Sequence, residues 1–195
     1  MKYDGTPIAI ALNPAVDCKL TKAHAFFNNS SNVILKSDVN DAAGMLKVTN
    51  SSDYNGDITV ERFFNSASND FRMVGSPIED IRLSDWQHPT LSNGFLYCGF
   101  GGSNYTWIGC GGFCSVYFYN ESQASDDDPT LGYDSATNIT NFVTPAKGTI
   151  IYSSSGSKKL SVTGSPELDD FNVQISKGSN DSDRGWNLVS NPYPC

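Results

Sequence analysis

Ile58-Thr-Val-Glu-Arg-Phe-Phe64 is the stretch on which the fold class turns. The β-branched Ile58 and Val60 alternate with polar Thr59 and Glu61, and two aromatics follow, as in a strand with one buried face. Ser115-Val-Tyr-Phe-Tyr119, Thr149-Ile-Ile-Tyr152, Lys159-Leu-Ser-Val162 and Phe171-Asn-Val-Gln-Ile175 have the same character, with Gly, Asn, Asp, Pro and Ser clustered between them. No apolar pattern of 3.6-residue period persists for the ~10 to 12 residues of a stable helix. The chain is therefore predicted to be all-β, with under ~10% helix.

Apolar clusters at Val33-Ile-Leu35, Met45-Leu-Lys-Val48 and Ile58-Thr-Val60 begin twelve and thirteen residues apart. Short parallel strands stacked as rungs produce this spacing, and so does a β-meander with equal loops. A second regularity links Phe71-Arg-Met-Val-Gly-Ser-Pro77-Ile78 to Trp186-Asn-Leu-Val-Ser-Asn-Pro192-Tyr193, 115 residues further on. Both read aromatic, polar, apolar, Val, small, polar, Pro, apolar. The aromatic and the third residue share one face of a strand, and proline, which has no N–H for a ladder, ends it. The echo predicts two equivalent strands with Phe71 and Trp186 buried and Pro77 and Pro192 just beyond the strand ends. The expected architecture is a short β-solenoid-like stack over residues 1–64 leading into a β-sandwich over 65–195, incomplete at its C-terminal end.

Charged residues are 17% of the 195, and Ser, Thr and Asn carry the polarity instead. A net charge of −8 repels both a nucleic-acid backbone and an anionic membrane surface, which argues against nucleic acid as a partner. No run approaches the ~18 to 20 apolar residues of a membrane helix, so no membrane insertion is expected. The N-terminal segment, broken by Pro7 and Pro14, is a poor match to a cleavable signal peptide.

Five cysteines, Cys18, Cys98, Cys110, Cys114 and Cys195, leave at least one unpaired within a single chain. Cys98, Cys110 and Cys114 are the disulfide candidates, because Gly111-Gly112 gives the backbone freedom to bring two of them together. Zinc would need a fourth ligand, and neither His24 nor His88 lies beside the cluster.

Val33-Ile-Leu-Lys-Ser-Asp38, Gly56-Asp-Ile-Thr-Val-Glu-Arg-Phe-Phe64, Phe71-Arg-Met-Val-Gly-Ser-Pro77 and Gly185-Trp-Asn-Leu-Val-Ser-Asn-Pro-Tyr-Pro194 occur in this order. The series resembles the large surface or secreted proteins of Bacteroidetes that are exported by type IX secretion. The Trp-Asn-Leu-Val-x-Asn-Pro-Tyr-Pro string is its most specific part, and the resemblance runs from about Leu20 onward. It implies a repetitive β-rich adhesin or stalk at the cell surface. It also implies a longer parent chain, because in that family the Asn-Pro-Tyr-Pro string is followed by the rest of the β domain and a C-terminal sorting domain. The Gly- and Cys-rich stretch from Cys98 to Cys114 is not part of the pattern.

Glycosidic hydrolysis would need two carboxyls across a cleft. Glu61, Glu79, Asp80 and Asp85 are the candidates, and all read more simply as solvated acids. Asp126-Asp127-Asp128-Pro129 offers oxygen ligands for calcium but lacks the spaced ligands and central Gly of an EF-hand loop, so a turn is the simpler reading. The seven sequons, from Asn28 to Asn180, are what so Asn- and Ser-rich a chain yields by chance.

Tyr97, Phe100, Tyr105, Trp107 and Phe113 crowd into the Gly- and Cys-rich segment, with Trp86 shortly before it. Two readings stay open. As exposed rings, Trp86, Tyr105 and Trp107 with Asn93 and Asn104 would form a sugar-binding platform; as buried rings they plug the end of the sandwich. The functional expectation is a non-catalytic segment of an extracellular surface protein, for structural display or adhesion, with surface glycans or other proteins as partners. The alternative is a carbohydrate-binding module.

Overall fold

Strand β3 (Ile58–Ser66) and strand β8 (Gly156–Gly164) pair antiparallel over their full nine residues. These strands belong to a computed structural model that describes residues 10–12, 33–40, 42–44, 56–86, 97–103, 112–124, 128–177 and 185–194. Alternation does what the sequence requires: Ile58, Val60, Leu160 and Val162 point into the core, while Thr59 and Thr163 share a hydroxyl hydrogen bond of 2.7 Å on the outer side. The expected division after Phe64 falls inside β3.

On the other side of β3 lie β2 (Val33–Leu35) and then β1 (Ile10–Leu12), both parallel to it. The register is Ile10↔Val33↔Ile58 and Leu12↔Leu35↔Val60. β2 pairs directly with β3, so the paired rows are 23 and 25 residues apart rather than twelve or thirteen. Met45–Val48 itself lies outside the described residues. Ser37, just after β2, accepts the Phe63 N–H at 3.0 Å, and Glu61 ion-pairs with Lys159 at 2.8 Å.

The second sheet is antiparallel throughout, in the order β4 (Asp70–Val74), β7 (Thr149–Ser153), β5 (Val116–Tyr119), β6 (Tyr133–Ser135). Val74, Val116 and Ile151 on its inner face join Val33, Leu35, Ile58, Val60, Leu160 and Val162 of the first sheet in one apolar core. Ile78, Ile81, Leu83, Trp86, Tyr97 and Val143 complete that core from the connections. Helix among the described residues is limited to α1 (Leu83–Trp86) and two 3₁₀ turns, Glu121–Gln123 and Pro129–Gly132. The described residues are strand-dominated and nearly free of helix, and the chain is all-β, as its sequence predicted.

Two expectations are corrected. Phe71 is on β4 as expected, yet it and Met73 face outward, 44% and 69% exposed, because Val74 takes the inward position of the alternation. Trp186 belongs to no strand and is 69% exposed. Phe171–Ile175, predicted as a strand, joins no ladder; its Phe171 N–H is taken by the Tyr193 hydroxyl at 3.1 Å.

Candidate functional site

Of the described residues singled out from sequence, Trp86, Tyr97, Cys98 and Cys114 are buried. Trp86, one of the rings for which the platform and plug readings are both open, is 2% exposed: the α1 turn buries it with Leu83 in the core, as a plug requires. Asn93, Asn104, Tyr105, Trp107, Cys110, Asp126 and Asp127 lie outside the described residues. Tyr97 is buried and packs on Phe100 with ring centroids 5.7 Å apart, the arrangement of a plug.

Three of the acids named as candidates, Asp128, Asp85 and Glu61, have local structural duties. Asp128 caps the Pro129–Gly132 turn by accepting the Thr130 N–H at 2.9 Å and also accepts the Thr130 hydroxyl. Asp85 accepts the Arg82 N–H at 2.8 Å at the start of α1, and Glu61 is the ion-pair partner of Lys159. Among the described residues no three His, Cys, Asp or Glu side chains gather as a metal set. Cys98 is disulfide-bonded to a cysteine outside the described residues, and Cys114 is a buried free thiol, so these two are not bridged to each other.

The exposed aromatic surface lies on the outer face of the second sheet. In Val116-Tyr-Phe-Tyr119 the alternation that buries Val116 sends Tyr117 and Tyr119 outward. Phe71, Phe113, Tyr117 and Tyr152 meet there in tilted and edge-to-face contacts with centroids 4.9 to 6.0 Å apart. Further along, Tyr119 and Tyr133, paired across β5 and β6, stand edge to face at 5.2 Å and 73°. The Tyr119 ring lies on the backbone of Gly132, where a β-carbon would come within 2.7 Å of it.

Trp186 faces this tyrosine pair across an open groove of about 460 Å³ whose other walls include Met73, Thr130 and Leu188. The exposed ring is held on a fixed segment. Asn187 binds the backbone of Ser176 on one side, its Oδ1 accepting the N–H at 3.1 Å and its Nδ2 donating to the carbonyl at 2.8 Å. On the other side Gly148 N–H donates to Leu188 at 2.9 Å, and Ser190 donates to Ala146 from its N–H and to Lys147 from its hydroxyl, at 2.8 and 3.1 Å. Ala146, buried with φ +60°, holds a left-handed conformation that a β-carbon disfavours, so the dock stores some backbone strain.

A polar cleft of about 340 Å³ shares Tyr119, Asn187 and Leu188 with the groove and has Asn120, Glu121, Lys147, Gln174 and Ser176 on its walls. Asn120 caps the Glu121–Gln123 turn through Ser122 N–H at 3.2 Å, which turns Glu121 inward to accept the Ser176 hydroxyl at 3.1 Å. Burial first, then Tyr133 and Glu121, raise the Tyr119 phenol above its ordinary 10.0, so it remains a hydrogen-bond donor at neutral pH. Rings with open faces beside fixed donors and acceptors are suited to binding an amphipathic ligand reversibly.

No protein-family model, curated protein or solved structure matches this chain.

Proposed function

We propose that the chain is a non-catalytic segment of an extracellular bacterial surface protein and that it acts in display and adhesion. The parallel rows of β1, β2 and β3 then form the start of a solenoid-like stack, and the two sheets over one core form a β-sandwich. The resemblance to type IX cargo proteins of Bacteroidetes supports this reading, and it makes the remainder of a longer parent chain the nearest partner. The disulfide at Cys98 fits an oxidising compartment outside the cytoplasm.

The observation that carries adhesion is the rigidly docked Trp186, 69% exposed opposite Tyr119 and Tyr133. Contiguous exposed apolar patches mark contact surfaces, and Trp186 shares its groove with the exposed Met73 and Tyr133. The same observation favours the second reading, a carbohydrate-binding module, with its ligand surface moved from the Trp86–Trp107 region to this groove. Beads coated with the chain, washed over polysaccharide-coated and protein-coated surfaces, test the proposal. Retention that falls when Trp186 is replaced by Ala is expected; beads that wash off every surface would overturn adhesion.

A further inference from the structure

We infer that the Trp186 groove and the polar cleft beyond it form one continuous site for an uncharged glycan chain, an inference that rests on the adhesion reading and names its ligand. The two spaces share Tyr119, Asn187 and Leu188, so an elongated ligand can run from one to the other without leaving the surface. Their sizes, about 460 and 340 Å³, are those of ordinary ligand pockets.

The wall chemistry selects the class. Trp186, Tyr119 and Tyr133 offer ring faces that match the C–H face of a sugar. The Tyr119 phenol and the Asn120, Gln174 and Ser176 side chains line the adjoining cleft with hydrogen-bonding groups suited to its hydroxyls. A purely aliphatic ligand would bury part of these polar walls without offering them hydrogen bonds in place of water. Anionic polysaccharides are disfavoured because the aromatic groove contributes no charged side chain, the cleft sets Lys147 against Glu121 and so offers no net positive charge, and the chain as a whole carries −8. Asn187 acts as a positioning residue: its amide is spent on Ser176 and Gly185, and it fixes the Trp186 backbone.

Titration of the full chain with soluble β-glucan, mannan and xylan, and with polygalacturonate as the anionic control, tests the inference by calorimetry and tryptophan fluorescence. At least one neutral polymer should bind, polygalacturonate should not, and Trp186→Ala should weaken binding at least tenfold with the melting temperature unchanged. Asn187→Ala should also weaken it, and Trp186→Phe should keep much of it. Binding that survives Trp186→Ala, or that favours polygalacturonate, refutes the site. Beads that adhere only to protein surfaces, with no neutral polymer bound in solution, refute the glycan ligand while adhesion stands; if the beads adhere to nothing, the adhesion reading itself fails.

Discussion

Gly75 and Ser190, the fifth residues of the two segments that share a sequence pattern, are in direct contact: a β-carbon on Gly75 would overlap the Ser190 hydroxyl. The two echoing segments are therefore neighbours in space, although one is a strand of the second sheet and the other an irregular segment bridged to Lys147 through Val189. The glycine at 75 is what lets the Trp186 segment close onto β4.

Substituting Gly75→Ala should destabilise the chain by ~1 to 3 kcal/mol through overpacking, and it should push residues 186–190 outward. Ser190→Gly should relieve the clash, so that a double-mutant cycle in denaturant shows a coupling of roughly 0.5 to 3 kcal/mol. Additive effects of the two substitutions would show that the contact is absent in solution.

Tyr97 is buried with its hydroxyl lacking a hydrogen-bond partner among the described residues, and burial, helped by Asp85, raises its pKa well above the ordinary 10.0. The folded state thus keeps the phenol neutral. Its contribution to stability is whole below pH 10 and is lost as the pH rises beyond that. Tyr97→Phe should gain about 1 kcal/mol at neutral pH by removing an unpaired buried group, and it should flatten the alkaline loss. Melting curves from pH 7 to 11 check both; a destabilised Phe variant would mean that the hydroxyl finds a partner.

Glu167 is 8% exposed, and burial first, then repulsion from Glu79, raise its carboxyl above the ordinary 4.5. The two acids flank the Ile78↔Pro166 bridge. A raised carboxyl pKa means that the ionised form is penalised on folding, so this term is most favourable in acid and weakens as the pH rises through the folded pKa. Glu167→Gln should therefore raise the melting temperature at pH 7, with the gain fading as the pH falls toward 4.5 and absent below it. An advantage independent of pH would assign the effect to packing instead.

The strand content of this chain was legible because alternation is a local property, written into Ile58–Phe64 and Val116–Tyr119. The direction each face points was not. Alternation shows that Phe71 and Met73 share a face but not that Val74 holds the inward position, because both faces of the second sheet are apolar. The site was hidden for a related reason. Trp186 is placed by Asn187 binding the backbone of Ser176 and by Ser190 binding Ala146, contacts made by single polar residues across long stretches of chain, which leave no period to read. The available signal was the outward pair Tyr117 and Tyr119 on one short strand.

Cys114 is buried, with its thiol directed to the Val116 carbonyl at 3.1 Å, while Cys98 is already oxidised. The native chain should leave Cys114 unlabelled by a small thiol reagent over hours and expose it on unfolding without reductant. Peptide mapping of labelled chain locates the modified residue. Rapid labelling of Cys114 in the folded state would place it at the surface.

The two tryptophans of opposite exposure should behave oppositely. Trp86, 2% exposed, packs with Leu83 and the core of both sheets, so Trp86→Ala should cost ~3 to 5 kcal/mol or prevent folding. Trp186, 69% exposed, buries little, and its segment is held by backbone bonds and by Asn187, so Trp186→Ala should stay within ~0.5 kcal/mol of the parent. Equilibrium unfolding in urea with circular dichroism as the signal measures both on one scale. If Trp186→Ala unfolds as readily as Trp86→Ala, its ring is a structural plug and the outer face of the second sheet is covered rather than open to a ligand.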